Sequence, residues 1–192
     1  MAMIGRMQLL ASFMLLPSCG QAVQEPSNEA NLAVPAETLP ANTSPVPTPP
    51  EPGVPGGLPE DRTPLEEPQG AIDPKSAEAA GQVVQSYGAL IEQGRWDEAE
   101  RLWGDPARGR GVSDDLKRNR EVHLQVGKPE VPEGAAGSIY VSVPVVLYGK
   151  RSDGREFSQS GEATLRRVND VPGSTAAQRR WHIDSMAFLE RA

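Results

Sequence analysis

Proline is distributed very unevenly along this chain of 192 residues. Residues 20–74 contain 13 of the 19 prolines and no aromatic residue, whereas residues 75–192 contain five prolines. A segment of this composition buries too little apolar surface to offset the entropy lost on ordering. We therefore predict a disordered, proline-rich linker over residues 19–74 and a folded domain over residues 75–192.

The N-terminus has a composition of its own. Arg6 precedes a mostly apolar run from Met7 to Leu16, which has roughly half the length that a helix needs to span a bilayer. A short run of this kind after a basic residue is typical of an export signal. We predict a cleavable signal peptide over residues 1–18. It ends at Leu16-Pro17-Ser18-Cys19, which contains the only cysteine of the chain.

The sequence Leu16-Pro17-Ser18-Cys19 resembles the lipobox of bacterial prolipoproteins, where an apolar, a variable and a small residue precede a cysteine. The resemblance implies cleavage before Cys19, a diacylglyceryl group on its sulfur, and a palmitate-type acyl chain on the new amine. Each buried methylene adds about 0.8 kcal/mol of membrane binding, so two or three chains would hold a folded domain at the surface. The alternative is an ordinary secretory signal that is cleaved near Ala22.

The net charge of −7 belongs to the linker rather than to the folded domain. Residues 20–74 have nine acidic side chains and one basic side chain, while residues 75–192 have 17 of each sign. A domain without net charge has no long-range field that would attract nucleic acid or an anionic membrane. We predict no nucleic-acid binding. No disulfide is expected either, since Cys19 has no second cysteine to pair with.

The domain is predicted to begin with helices. Apolar residues recur at spacings of three and four between Ala77 and Ile91, which indicates an amphipathic helix. Asp73 is its predicted N-cap, with Pro74 in the first turn. A second, shorter helix follows from Trp96 and ends at Gly104-Asp105-Pro106. Residues 107–111 are predicted as a loop, before a helical turn that runs from Ser113 to Leu116.

After residue 121 the apolar spacing changes from 3.6 to two, which predicts strands. The four strand candidates are centred on Val122–Val126, Ile139–Leu147, Phe157–Leu165 and Trp181–Ile183. Asp153-Gly154 is a strong hairpin signal between the second and third of these. Helices followed by antiparallel strands predict an α+β fold in which helices pack on a curved sheet.

This order of elements resembles the NTF2-like (SnoaL-like) superfamily. The residues that carry the resemblance are Gly-Arg-Trp-Asp-Glu-Ala at 94–99, between the two helices, and Trp-His-Ile-Asp at 181–184 in the last strand. The resemblance implies a cone-shaped cavity between helices and sheet. It does not imply one activity, because the superfamily includes enzymes, dimerisation modules and domains of unknown role.

The candidate cavity is assigned to inward-facing residues of the helices and strands. They are Tyr87, Leu102, Val143, Phe157, Gln159 and Ile183. By strand parity, His123, His182 and Asp184 point away from this cavity. No paired cysteines, phosphate-binding loop or nucleophile motif is present, so we predict no catalytic residue, no metal and no cofactor.

Basic side chains are dense at two places in the domain. The first group lies within residues 108–120, and the second consists of the pairs Arg166-Arg167 and Arg179-Arg180. Two interpretations stay open: a patch that docks on anionic glycan or lipid phosphate, and a solvated face balanced by nearby acids. We favour the solvated face.

These observations predict a non-catalytic, lipid-anchored protein of the cell envelope whose domain binds a partner protein or a small apolar ligand. Gly20 follows Cys19, and in the lipoproteins that the sequence resembles, a residue other than aspartate there implies the periplasmic face of the outer membrane. The alternative is a small-molecule isomerase, hydrolase or dehydratase that uses the cavity. A homodimer through the outer face of the sheet is a further alternative.

Overall fold

The computed structural model describes residues 46–189. The predicted signal peptide, Cys19 and most of the first half of the predicted linker lie outside these residues. Three helices precede five strands: α1 (Ala77–Glu92), α2 (Trp96–Glu100), α3 (Pro106–Leu116), β1 (Asn119–Val126), β2 (Glu133–Ala135), β3 (Ser138–Arg151), β4 (Glu156–Val168) and β5 (His182–Phe188).

The strands form one open antiparallel sheet with the order β1-β3-β4-β5, and the short β2 pairs with β3. β3 and β4 are joined at the predicted Asp153-Gly154 turn, where the Arg155 N–H donates to Asp153 Oδ1 at 3.0 Å. The helices pack against one face of this sheet. The predicted α+β architecture is confirmed at this level.

The core lies between the helices and the sheet. Alternate residues of β3, from Val141 to Leu147, face the helices and are almost completely buried. From α1 they meet Val84, Tyr87 and Ile91, which lie on one helical face because they are spaced by three and four residues. Burial of this apolar surface is the main force that holds α1 on the sheet.

The first helix starts later than predicted. Its N-cap is Ser76, whose Oγ accepts a hydrogen bond from the Ala79 N–H at 3.2 Å. Asp73 instead closes the preceding turn: its backbone carbonyl accepts from Ser76 N–H, and its carboxylate accepts from Lys75 N–H. Aspartate and serine are both good caps, and the turn that Asp73 makes leaves the helix start to Ser76.

The predicted loop over residues 107–111 is wrong, because these residues form the first half of α3. The predicted end of the second helix at Gly104-Asp105-Pro106 is also wrong, because α2 ends at Glu100 with Arg101 as its C-cap. The Asp105 side chain caps α3 by accepting from Ala107 N–H at 2.9 Å, and Pro106 occupies the first turn. Gly109 is tolerated within the helix because Trp103 packs directly on it; an added Cβ would lie 2.8 Å from the Trp103 ring.

Pro144 lies in β3, a strand with neighbours on both sides, although a proline within a strand predicts an edge or a bulge. β1 ends at Val126, opposite Val145, and the next N–H, from Gly127, donates to the Pro144 carbonyl at 2.8 Å. Pro144 therefore lies between two parts of β3. The part that pairs with β1 begins at Val145, and the part that pairs with β2 ends at Tyr140. The missing N–H of proline is tolerated at such a local edge.

Residues 50–66 lie against the sheet instead of forming the end of a disordered linker. We call this segment the belt. The Ser158 hydroxyl donates to the Gly56 carbonyl at 2.6 Å, and Leu58 is only 1% exposed. Residues 63–65 then pair with the end of β1, where Leu65 N–H donates to the Val126 carbonyl at 2.8 Å.

The part of the belt around Leu58 covers the sheet face opposite the helices, whereas Leu65 packs against Gly81 of α1. Val146 points away from the helix-side core, since its neighbours Val145 and Leu147 belong to that core, yet Val146 is fully buried. An added Cβ at Gly127 would lie 3.0 Å from both Leu58 and Pro144, which places Leu58 against this face. The composition argument for disorder fails here because two leucines find apolar sites on the folded domain, Leu58 on this sheet face and Leu65 against α1.

Candidate functional site

The six predicted cavity residues are distributed through the core rather than around one opening. Tyr87, Val143 and Ile183 are fully buried, and Leu102 and Phe157 pack against the core from partly exposed positions. Gln159 is half-buried on β4. Ile183 and Phe157 line two different cavities.

Tyr87 is the largest fully buried side chain in the described part of the chain. Its ring meets the Trp103 ring edge-on at a centroid distance of 6.1 Å. Neither the Tyr87 hydroxyl nor the Trp103 indole nitrogen has a partner in hydrogen-bond geometry among the described residues. Burial raises the pKa of the Tyr87 hydroxyl, so this group stays protonated and cannot act as a base.

An open groove of about 460 Å³ lies where the α2–α3 connection meets the ends of β4 and β5. We call it the arginine groove. Its charged lining residues are Arg101, Arg108, Arg166, Arg167, Asp105 and Asp184. Four guanidinium groups against two carboxylates make this groove locally positive on a domain that has no net charge overall.

Backbone pairing between two distant segments builds the base of the arginine groove. Gly104 N–H donates to the Ile183 carbonyl, and Ile183 N–H donates to the Leu102 carbonyl, each at 2.9 Å. This bridge places buried Trp103 and Ile183 at the bottom. Arg108 reaches across and donates to the Asp184 carbonyl at 3.3 Å.

The four arginines differ in their partners. Arg167 is buried and forms an ion pair with Asp170 at 3.0 Å. Arg108 lies 3.7 Å from Asp105. Arg166 donates through Nε and Nη2 to the Ser138 hydroxyl, both at 3.1 Å, and has no carboxylate within ion-pair distance among residues 46–189. Arg101 likewise forms no ion pair within the described residues.

His182 and Asp184, which were predicted to face away from the cone cavity, both line the arginine groove. Each is half-buried. A register shift between β4 and β5 leaves Asp184 opposite no single residue, which re-aims this part of the strand. The groove is open to solvent, so these two groups do not occupy the deep enclosed pocket that acid–base catalysis favours.

A second cluster of titratable groups joins the end of α1 to β1. His123 Nε2 lies 3.0 Å from Glu121 Oε1, and His123 Nδ1 lies 3.2 Å from Glu92 Oε1. The imidazole stacks on Tyr148 at a centroid distance of 5.2 Å. Burial, and then the charge of Glu92, raises the pKa of Tyr148. This arrangement clamps the helix end to the sheet edge.

We expect this cluster to make stability depend on pH. Hydrogen bonds from His123 and Lys150 lower the pKa of Glu121 below its ordinary 4.5. A lowered folded-state pKa gives stability that is present above pH 4.5 and is lost as the pH falls through the lowered value. Glu121→Gln should therefore destabilise the protein at about pH 6, and its difference from the wild-type stability should shrink as the pH falls below 4.5, as measured by urea unfolding.

The His123→Phe background is the control for this pH dependence, because phenylalanine keeps the stack on Tyr148 and removes both imidazole hydrogen bonds. In that background, the loss of unfolding free energy caused by Glu121→Gln should be smaller and should vary less with pH. A difference that stays constant from acid to neutral pH would contradict the assignment.

Within residues 46–189, no three His, Cys, Asp or Glu side chains are grouped so that they could hold a metal ion. In the same residues, none of the helices has the length and apolarity that crossing a membrane requires.

Within residues 46–189, the chain forms an α+β domain in which helices pack on an open antiparallel sheet. Comparison with protein-family models, with curated proteins and with solved structures finds no match.

The Arg166-Arg167 pair and Arg108 are visible in the sequence, but nothing there predicts that they line one groove. The signal that could have joined them is the pairing of residues 102–104 with β5. Nothing in the local sequence encodes that bridge, because its two sides are about eighty residues apart.

Proposed function

We propose that this protein is a lipid-anchored protein of the bacterial cell envelope whose folded domain binds a partner protein without catalysing a reaction. The anchor is inferred from the apolar run that ends at Leu16-Pro17-Ser18-Cys19. The observation that supports a binding role is the arginine groove, an open recess on an otherwise neutral domain. Open, polar recesses suit a protein surface better than they suit a small apolar molecule.

The packing of the core also favours a partner protein over a small apolar ligand. Tyr87 and Val143 have no exposed surface, and each belongs to the continuous helix-side core. A ligand that entered between helices and sheet would have to displace these side chains. Such a displacement costs the packing energy that holds the domain together.

The proposed location is the periplasmic face of the outer membrane of a Gram-negative cell. It rests on Gly20, which follows the cysteine where an aspartate would favour retention in the inner membrane. A homodimer through the outer face of the sheet is a weaker proposal, because the belt already covers part of that face around Leu58.

Substitution of the anchor residue tests the proposal. The wild-type protein should sediment with membranes and yield an N-terminal peptide that starts at an acylated Cys19, whereas Cys19→Ser should shift most of the protein to the soluble fraction. Ser18→Ala keeps a small residue before the cysteine and should behave as wild type. An unmodified N-terminus beyond Cys19, for example after Ala22, would contradict the anchor.

Crosslinking in intact cell envelopes, followed by mass spectrometry, tests the binding role. A partner that crosslinks to wild type and is lost with groove substitutions supports it. The enzymatic alternative, a small-molecule isomerase, hydrolase or dehydratase, is favoured only by the presence of His182 and Asp184 in one groove. That alternative predicts that His182→Gln abolishes turnover of the small-molecule substrate while the crosslink to the partner protein persists.

A further inference from the structure

We infer that the free edge of β5, over residues 185–189, binds an extended segment of the partner protein as an additional strand of the sheet. This inference rests on the proposed binding role and deepens it, because it states how the partner is held. An extended chain that pairs with a sheet edge is bound through its backbone, and the surface beside the edge selects its alternate side chains.

The backbone groups at the end of β5 point alternately to β4 and to the free edge. β5 pairs with β4 on one side and, in the described part of the chain, has no strand on its other side. The Leu189 N–H donates to the Ser160 carbonyl at 2.9 Å, so it points to β4. In an antiparallel pair the direction alternates from residue to residue. Ala187 therefore also pairs with β4, whereas the N–H and C=O groups of Met186 and Phe188 point to the free edge.

The beginning of the same edge already accepts an extended chain. The Ile183 N–H donates to the Leu102 carbonyl and the Gly104 N–H donates to the Ile183 carbonyl, which is a parallel bridge. Next, the Asp184 carbonyl accepts a hydrogen bond from Arg108 at 3.3 Å. Among residues 46–189, no segment continues this pairing beyond Asp184. The edge is thus occupied at its start and open at its end.

The open part of the edge lacks the features that usually keep sheet edges from pairing. Such features are charged side chains, proline, and a covering segment. Residues 185–189 read Ser-Met-Ala-Phe-Leu and contain neither a charge nor a proline. By contrast, β1 at the opposite edge has Arg120 and Glu121, and its end pairs with the belt through Leu65. The end of β5 is therefore the less protected of the two edges.

Apolar surface lies beside the open edge. Ala187 is exposed, Leu189 is 70% exposed, and both line a recess of about 830 Å³ whose other side is the belt with Val54. Met186 and Phe188 pack against the helix-side core and hold the strand in place. An added strand would have every second side chain on the side of the sheet where the recess lies. The edge and the recess together fit an extended segment with apolar residues at alternate positions.

The open edge continues directly from the arginine groove. His182 and Asp184 line the groove, and Phe188 follows on the same strand. At about 3.3 Å per residue, Asp184 and Phe188 are roughly 13 Å apart along β5. A partner protein that contacts the groove therefore also reaches the edge, so both belong to one contact surface. A second copy of this chain is the other possible occupant, which the test distinguishes.

Amide hydrogen exchange of the full-length protein in non-ionic detergent, measured by NMR, tests the inference. In the protein alone, the amides of Met186 and Phe188 should exchange at least about tenfold faster than those of Ala187 and Leu189, which donate to β4. The probe is a peptide of alternating threonine and valine, about eight residues long with a lysine at each end, because these residues favour strands. The peptide should slow the exchange of Met186 and Phe188 saturably.

Met186→Pro and Met186→Ala form a matched pair of variants. Both remove the methionine side chain, but only proline also removes the N–H, at an edge where proline is tolerated. Met186→Pro should raise the dissociation constant of the peptide at least about tenfold, whereas Met186→Ala should change it less than about twofold. Urea unfolding checks that both variants are folded. Leu189→Lys, at an exposed position, is a further variant and should raise the dissociation constant at least about threefold.

Saturable slowing that is confined to the end of β5 and is lost in Met186→Pro supports the site. Slow exchange of Met186 and Phe188 in the protein alone would overturn it. If that slow exchange depended on protein concentration, the edge would belong to a second copy; otherwise the chain itself would cover it. A peptide that slows neither amide, or that binds Met186→Pro and Met186→Ala equally, would also overturn the site. Because this test needs neither the anchor nor the partner, its failure is distinguishable from failure of the Cys19 and crosslinking experiments.

Discussion

Replacing Leu58 with alanine is expected to destabilise the protein by about 2 to 5 kcal/mol, as for other fully buried leucines. Leu58 is 1% exposed and lies against Gly127 beside Pro144, on the sheet face opposite the helices. The truncation would leave a cavity over that face and would loosen the belt. Urea unfolding of the full-length protein measures the loss, and amide hydrogen exchange at Leu65 reports whether the belt detaches.

Val54→Ala is the control for Leu58→Ala. Val54 belongs to the same belt but is 44% exposed, so its truncation should change the unfolding free energy by less than about 0.5 kcal/mol. Equal and small effects of the two substitutions would mean that the belt does not dock. The predicted disordered linker would then extend to residue 74 after all.

Gly149→Ala is expected to cost about 3 kcal/mol or more, the sum of backbone strain and overpacking. Gly149 has a φ of +151°, and an added Cβ would lie 2.1 Å from the Glu121 carbonyl oxygen and 2.8 Å from its carbon. These are backbone atoms of the neighbouring strand, beside the register shift between Asn119 and Glu121. They cannot move aside without breaking the pairing of β1 with β3.

Gly154→Ala separates the two causes. Gly154 also has a positive φ, +85°, in the β3–β4 turn, but an added Cβ there would have no neighbouring atom within 4 Å. Its substitution should cost only the strain, about 1 to 2 kcal/mol. If thermal or urea unfolding gives the same loss for both glycines, close approach of β1 is not what requires Gly149.

Much of the secondary structure could be predicted because it depends on near neighbours. The spacing of Val84, Tyr87 and Ile91 defines a helical face wherever the helix is placed. The alternation from Val141 to Leu147 does the same for β3. The predicted helix boundaries were wrong where the same residues can serve either of two purposes. Asp105 followed by Pro106 can end one helix or begin the next, and here these two residues begin α3.

The candidate site was harder to predict because its parts are distant in sequence. Strand parity correctly predicted that His182 points away from the core to which Ile183 belongs. It could not predict that the α2–α3 connection lies beside His182 and lines a groove with it. Arg108 and the Asp184 carbonyl that accepts its hydrogen bond are separated by 76 residues. The basic residues were visible, whereas their convergence on one groove was not.

By itself, the sequence determined the neutral charge of residues 75–192 and most of the succession of helices and strands, whereas the export signal that ends at Cys19 stays a prediction. These properties depend on composition and on periods of two to four residues. Only the tertiary structure decided that the belt docks, through contacts such as Gly56 with Ser158 across 102 residues, and that arginines from two walls share a groove. The physical reason is that bringing residues so far apart in sequence together costs chain entropy. Only the assembled core offsets that cost, and no short segment of the sequence contains the core.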